Sequence, residues 1–93
     1  MSVKTITRFP LGQVVSTPGA LHKYGSELLS IKLARHARGD WGDMDAEDIA
    51  ANNAALLHEG RLFSSYNMGK GEKLWIITEW DRSVTTFLLP SEY

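Results

Sequence analysis

The densest group of polar side chains lies at residues 35–43, and it contains two residue types that can move a proton. His36 titrates near neutral pH, and Asp40 follows it four positions later. A histidine beside a carboxylate can act as a general acid–base pair, so these two residues are one catalytic candidate. The alternative is structural: Trp41 anchors a loop between two helices while the aspartates make turn and cap contacts. We favour the structural interpretation.

Five acidic side chains follow one another closely in the middle of the chain. They are Asp40, Asp43, Asp45, Glu47 and Asp48. Their composition is similar to that of a calcium-binding loop, but the glycine at the sixth loop position and the glutamate at the twelfth are missing. The sequence therefore predicts no metal site, and we expect no cofactor.

A second polar cluster occupies residues 78–86. In a structural interpretation, Asp81 accepts hydrogen bonds from backbone N–H groups of a turn, and Arg82 pairs with Glu79. In a catalytic interpretation, Glu79 acts as general base, and Arg82 or Arg61 holds a phosphate in its planar fork.

The catalytic interpretation describes a small nuclease or related phosphoryl-transfer enzyme, in which His36 could join Glu79, Arg82 and Arg61. The order of residues 78–86 is loosely similar to the last hairpin of the barnase-type ribonucleases. That family has a histidine as general acid in this hairpin, and none is present here. Whether the protein is an enzyme therefore stays open at this point.

Charge is distributed unevenly along the chain. Residues 1–38 carry six basic side chains and one acidic side chain, whereas residues 39–60 carry six acidic side chains and no basic one. Such segments can neutralise each other within the fold, or they can project separate patches that steer charged partners. In the second case, the acidic stretch 40–48 would face a basic, DNA-binding surface of a partner. The binding candidates are Asp40, Trp41, Asp43, Asp45, Asp48, Trp80, Asp81 and Arg82.

The composition excludes several classes of protein. The 93 residues suffice for one small domain, and 43% hydrophobic content is typical of a globular chain. The net charge of −1 argues against a generally basic nucleic-acid binder, so direct nucleic-acid binding is not favoured. The chain has no cysteine and no apolar run longer than four residues, so we expect a cytoplasmic protein without a membrane span.

The order of elements predicts an α+β fold. A short strand at residues 13–16 precedes three helices, at residues 18–24, 26–38 and 45–60, which are delimited by Thr17, Gly25, Asp45 and Gly60. A period of two then indicates a three-stranded antiparallel meander over residues 62–89, to which the first strand could add as a fourth. We expect an N-terminal arm at residues 1–10 and a single α+β domain at residues 11–93.

Several blocks of the chain resemble one family of small proteins carried by plasmids, integrative elements and phages. Members are often labelled "type I restriction endonuclease subunit M" or plasmid-related protein. The resemblance covers almost the whole chain from Leu11 onward. The blocks are Thr17-Pro18-Gly19-Ala20-Leu21, Arg35-His36, Gly39-Asp40-Trp41-Gly42, Trp75-Ile76-Ile77-Thr78-Glu79, Asp81-Arg82, Thr85-Thr86, Leu88-Leu89-Pro90 and Tyr93.

The label names a methylation subunit, which needs an adenosylmethionine-binding sheet and an Asn-Pro-Pro-aromatic motif. Neither is present, and 93 residues are too few for that fold. What the resemblance implies is a setting, namely mobile DNA that encounters host defences. We therefore favour a small non-enzymatic interaction protein that inhibits a host restriction or CRISPR nuclease complex. We expect a protein partner, and both monomers and homo-oligomers stay open.

Overall fold

A computed structural model describes residues 7–93 of the chain. Four strands and two α-helices follow one another along it, and a short 3-10 helix closes it. The elements are β1 (Gln13–Ser16), α1 (Pro18–Ala37), α2 (Ala46–Leu57), β2 (Leu62–Gly69), β3 (Glu72–Thr78), β4 (Val84–Leu88) and the 3-10 helix Pro90–Glu92. The fold is α+β, as the sequence predicts.

The four strands form one mixed sheet in the order β1-β4-β3-β2. The pairs β2–β3 and β3–β4 are antiparallel, whereas β1 runs parallel to β4, with Gln13 opposite Val84. The predicted meander therefore describes only part of the sheet. A parallel partner needs a long crossover, and α1, α2 and the first two strands of the meander supply it.

The structure has two α-helices where the sequence analysis predicts three. Thr17 caps α1 as expected, because its hydroxyl oxygen accepts a hydrogen bond from the Ala20 N–H group at 3.2 Å. Gly25 does leave helical geometry, with a φ of 77° and a ψ of 156°. The helix resumes directly afterwards, so α1 consists of two helical segments joined at a kink at Gly25, the residue at which the sequence predicts the first helix to end.

Two groups of apolar side chains form the core. The larger one lies between α1 and one face of the sheet, and it contains Ala20, Leu29, Tyr66, Leu74, Ile76 and Phe87. The smaller one joins Phe9, Trp41 and Leu62 with apolar residues of α2. Phe9 falls within the predicted N-terminal arm, residues 1–6 of which lie outside the described part of the chain.

The outer edge of β2 is covered by polar groups from the rest of the chain. Asn52 of α2 donates to the carbonyl oxygen of Phe63 at 2.7 Å and accepts from its N–H group at 3.0 Å. Two positions further on, Ser65 forms an isolated bridge with Gly42. The loop and α2 thus stand where a fifth strand would pair, and they satisfy the backbone of this edge.

Neither of the two helices within residues 7–93 has the length and apolar character needed to cross a membrane.

Candidate functional site: an acidic groove beside β2

The proposed proton-transfer pair at residues 35–43 is not formed. His36 is fully buried, and Asp40 turns away from it to bind the Arg35 guanidinium, with Nε to Oδ2 at 2.8 Å. This hydrogen bond lowers the pKa of the Asp40 carboxyl below its ordinary value. Trp41 is only 3% exposed, and its indole N–H donates to Asn53 at 3.1 Å. Trp41 therefore anchors the loop to α2, as the structural interpretation expects, and presents no surface for binding.

His36 belongs to a chain of hydrogen bonds inside the core. Its Nδ1 lies 2.5 Å from the Ser64 hydroxyl, and its Nε2 lies 2.9 Å from the Thr78 hydroxyl. Thr78 is in turn 2.7 Å from the hydroxyl of Thr85, which donates to the carbonyl oxygen of Leu11. Because each hydroxyl has one proton, the chain has one consistent direction. Thr78 donates to Thr85, Nε2–H of a neutral His36 donates to Thr78, and Ser64 donates to Nδ1.

Burial has a large effect on the pKa of His36. It lowers the pKa of His36 to about 3, because a charged imidazolium would lose its hydration in the core. The rings of Phe9 and Trp41 close the space around it, with centroids 5.3 and 5.5 Å from the imidazole. A neutral, enclosed and fully hydrogen-bonded His36 is a structural residue in this geometry.

The second polar cluster is also engaged within the fold. Arg82 donates to the carbonyl oxygens of Ala55 and Gly60 at 2.7 and 2.5 Å, and so ties the end of α2 to the turn between β3 and β4. Asp81 accepts from the hydroxyl of Ser83 at 2.6 Å, and this bond lowers the pKa of the Asp81 carboxyl. Trp80 projects from the same turn and is 56% exposed.

Of the four residues in the catalytic hypothesis, only Arg61 reaches the carboxylate of Glu79, whereas Arg82 contacts the backbone carbonyl oxygen of Glu79 at 3.1 Å. Arg61 lies 3.3 Å from Glu79 and also donates to the Tyr93 hydroxyl at 2.9 Å. The Arg82 guanidinium is occupied by carbonyl oxygens, and His36 is enclosed in the core. The nuclease hypothesis thus gains no assembled site from this geometry.

A groove of about 580 Å³ opens beside β2, on the face of the sheet that points away from α1. Phe63 and Ser65 of β2 and Trp75 of β3 form its floor, because they alternate with the residues that face the core. Asp45 and Asp48 stand on the α2 side, and Asp43 stands on the loop before it. Three of the predicted binding residues therefore share one concave surface.

Backbone hydrogen bonds position the segment that carries these carboxylates. Asp45 caps α2, and its carboxylate accepts the N–H group of Asp48 at 2.8 Å. The N–H group of Asp43 donates to the carbonyl oxygen of Ser65 at 2.6 Å, which presses the loop against β2. Gly42 permits this approach, because it has a φ of 79° and a Cβ there would lie 2.3 Å from the same oxygen.

The negative charge of the groove is only partly neutralised. Asp43 forms an ion pair with Lys73. Within residues 7–93, Asp45 and Asp48 have no cationic partner, and Arg61 on the far wall is held by Glu79. The Asp45 carboxylate raises the pKa of Asp48, as expected when two like charges stand together.

The described basic and acidic segments neutralise each other through few ion pairs. Arg35 with Asp40 is the one ion pair found between residues 7–38 and residues 39–60 in the described part of the chain. The remaining ion pairs involve residues beyond position 60. The acidic stretch packs against the basic one through Trp41, but Asp45, Glu47, Asp48 and Glu59 form no ion pair within residues 7–93.

The floor of the groove combines aromatic rings with a free hydroxyl. The rings of Phe63 and Trp75 meet edge to face at 4.9 Å, and Tyr93 packs against Trp75 at 5.7 Å. Ser65 is 5% exposed and lines the groove, and no hydrogen bond from its hydroxyl is found among residues 7–93. Carboxylates, ring faces and a hydroxyl together suit a cationic group such as a guanidinium.

Sequence reasoning identified the acidic rim of this groove but not its floor. Phe63 and Ser65 lie in a stretch with a period of two, which assigns them to one face of a strand. The pattern does not show that this face lies next to the N-terminal end of α2. In the described part of the chain, no group of three or more histidine or acidic side chains is arranged to hold a metal ion.

No family model matches the sequence, and no curated protein and no solved structure is significantly similar to it. The geometry of the groove therefore carries the functional argument.

Proposed function

We propose that the protein is a non-enzymatic interaction protein that binds a basic segment of a protein partner in the acidic groove. The observation that carries this proposal is the pair of carboxylates, Asp45 and Asp48, on the rim of the groove beside β2, for which residues 7–93 supply no cationic partner. Their repulsion, which raises the pKa of Asp48, is relieved when a cation enters.

Arginine suits the groove better than lysine does. A guanidinium is flat, so it can stack on the ring of Trp75 or Phe63 while its N–H groups reach a carboxylate. The Ser65 hydroxyl supplies a further acceptor at the floor of the groove. A hydrated ammonium ion uses fewer of these contacts, because it has no planar face to stack.

The proposed partner is a nuclease complex of a host defence system, and the protein acts as its inhibitor. Surfaces that bind DNA carry arginine and lysine side chains arranged to meet phosphates. An acidic groove on a small protein can occupy such side chains and compete with DNA. The resemblance to proteins of plasmids, integrative elements and phages supports this choice of partner, since mobile DNA encounters restriction and CRISPR nucleases.

The first test removes the charge without removing the helix cap. Asparagine caps helices as well as aspartate does, so the double variant Asp45→Asn/Asp48→Asn keeps α2 and loses two charges. We expect its affinity for a fluorescent nona-arginine peptide to fall at least about tenfold, with a weaker salt dependence. Fluorescence anisotropy at two salt concentrations measures both quantities.

A matched control changes the same number of charges elsewhere. Glu27→Gln/Glu59→Gln removes two carboxylates that do not line the groove, so the peptide affinity should stay near that of the wild type. Equal losses in both double variants would show a general charge effect and would contradict the proposal. Inhibition of DNA cleavage by a purified restriction or CRISPR nuclease then tests the partner class with the same two variants.

A further inference from the structure

The two edge strands of the sheet differ in whether their outer backbone groups have partners. The β2 edge is covered by Asn52 and by the bridge between Gly42 and Ser65. The β1 edge is the other end of the sheet, and within residues 7–93 no strand pairs with its outer side. An open edge of this kind offers a template for another strand.

The backbone of β1 shows which groups are free. The N–H groups of Gln13 and Thr17 donate to the carbonyl oxygens of Ser83 and Phe87, both at 2.9 Å, on the β4 side. In a parallel ladder, alternate residues direct both their N–H and their C=O groups to the same neighbour. The N–H and C=O groups of Val14 and Ser16 therefore point outward from the sheet.

The surface along this edge is apolar and uncharged. Val14 is 42% exposed and Leu21 of α1 is 48% exposed, and both line a groove of about 160 Å³ between β1 and α1. None of the residues lining that groove is ionisable. The strand also lacks the usual protections of an edge, since Gln13–Ser16 contains no lysine, proline or bulge.

We propose that β1 pairs with β1 of a second copy of this chain. The strands run antiparallel about a two-fold axis at Val14. On such an axis, the N–H group of each Val14 donates to the carbonyl oxygen of the other, which uses both outward groups of this residue. Both copies keep α1 on the same face of the joined sheet, so the exposed Val14 and Leu21 side chains of the two copies cover each other.

A second copy fits this edge better than a charged partner does. The edge has no charge to complement, so a charged strand would lose hydration there without gaining an ion pair. A two-fold contact between identical patches also closes on itself, so it gives a dimer and not a filament. The acidic groove lies at the opposite edge of the sheet and stays open in this dimer.

The test uses the fact that Val14 of one copy would face Val14 of the other copy across the two-fold axis. The wild-type protein at about 100 µM should sediment with the mass of two chains, because a dimer of this kind depends on concentration. Val14→Lys and Val14→Glu should each be monomeric, since two like charges would face each other across the axis. An equimolar mixture of the two variants should restore the dimer.

Leu57→Lys is the matched control. Leu57 is an exposed apolar residue of α2, which packs against β2 at the opposite edge of the sheet, so its change should leave the dimer intact. A monomeric wild type overturns the proposal, and so does a mixture of Val14→Lys and Val14→Glu that stays monomeric. Hydrogen exchange identifies other occupants of the edge. Protection of the Val14 amide that does not depend on protein concentration would mean that a segment of the same chain covers β1, and it would also overturn the proposal.

Discussion

Ser64 and Ser65 are neighbours in β2, yet their hydroxyl groups lie in opposite environments. Ser64 faces the core and bonds to His36, within a chain of polar groups in which every donor has an acceptor. Ser65 faces the acidic groove, where within residues 7–93 its hydroxyl has no hydrogen-bond partner and the carboxylates of Asp45 and Asp48 have no cationic partner. The sheet therefore separates polar residues that hold the fold together from polar residues that are available to a ligand.

The physical reason for this difference is solvent. A buried polar group without a partner costs about 1–3 kcal/mol, so the core tolerates His36 only as part of a complete hydrogen-bonded chain. In the open groove, water satisfies unpaired groups at little cost until a ligand replaces it. Substitutions on the two faces should therefore affect different properties of the protein.

The largest effect is expected for His36→Leu. Leucine fills a similar volume, but it leaves the Ser64 hydroxyl without its acceptor and the Thr78 hydroxyl without a donor. We expect the free energy of unfolding to fall by about 2–4 kcal/mol, measured by urea denaturation. The groove variant Asp45→Asn/Asp48→Asn should change it by less than about 0.5 kcal/mol. Similar losses in the two variants would remove the distinction between the faces.

The second effect concerns pH. The unfolded chain protonates His36 near pH 6.5, whereas the folded protein keeps it neutral down to about pH 3. Between these values the unfolded state binds one more proton than the folded state does. The contribution of neutral His36 to the free energy of unfolding is therefore fully present above pH 6.5 and is lost as the pH falls. We expect His36 to contribute a limiting slope of about 1.4 kcal/mol per pH unit. Urea denaturation from pH 7 to pH 5 should show this contribution in the wild type and not in His36→Leu.

The smallest effects come from the two neighbouring serines. Ser64→Ala removes the donor to Nδ1 of His36 and should cost about 1–2 kcal/mol of stability. Ser65→Ala removes a hydroxyl that bonds to no described residue, and the cost should be below about 0.5 kcal/mol. The order should reverse for binding, because only Ser65→Ala should weaken the nona-arginine complex. Stability changes in the opposite order would show that the two faces have been assigned wrongly.

Much of the fold could be predicted from local signals. Thr17 and Asp45 were recognised as helix caps from residue type, and both accept the expected backbone hydrogen bonds. The strand at residues 13–16 and the α+β class are confirmed. The parallel pairing of β1 with β4 was not predicted. Neither the hydrophobic period of a segment nor its residue types encode which distant strand will be its neighbour. Gly25 does interrupt the helical geometry at the predicted position, but residue type does not show that the helix resumes directly after it as part of α1.

The candidate site likewise contains features that local sequence predicts and features that depend on tertiary contacts. The acidic rim follows from the sequence, because helix capping and charge runs are local. The partners of His36 lie 28 and 42 positions away, so its role depended on tertiary contacts that no spacing rule contains. Arg82 was predicted to bind a phosphate or a partner, but the orphan carbonyls at the end of α2 take up its guanidinium instead.

The way in which α2 is attached has a consequence for the timing of its motions. Of the twelve residues of this helix that the structure describes, only the amide Asn52 is fully buried, and its apolar residues Ile49, Ala55 and Leu56 are half-buried against the second core group. A helix held by this small half-buried cluster, by the Asn52 amide and by Arg82 at its end can detach while the sheet stays intact, as a separate cooperative unit of lower stability. The acidic groove has α2 as one wall, so its width should fluctuate on its own timescale, faster than global unfolding.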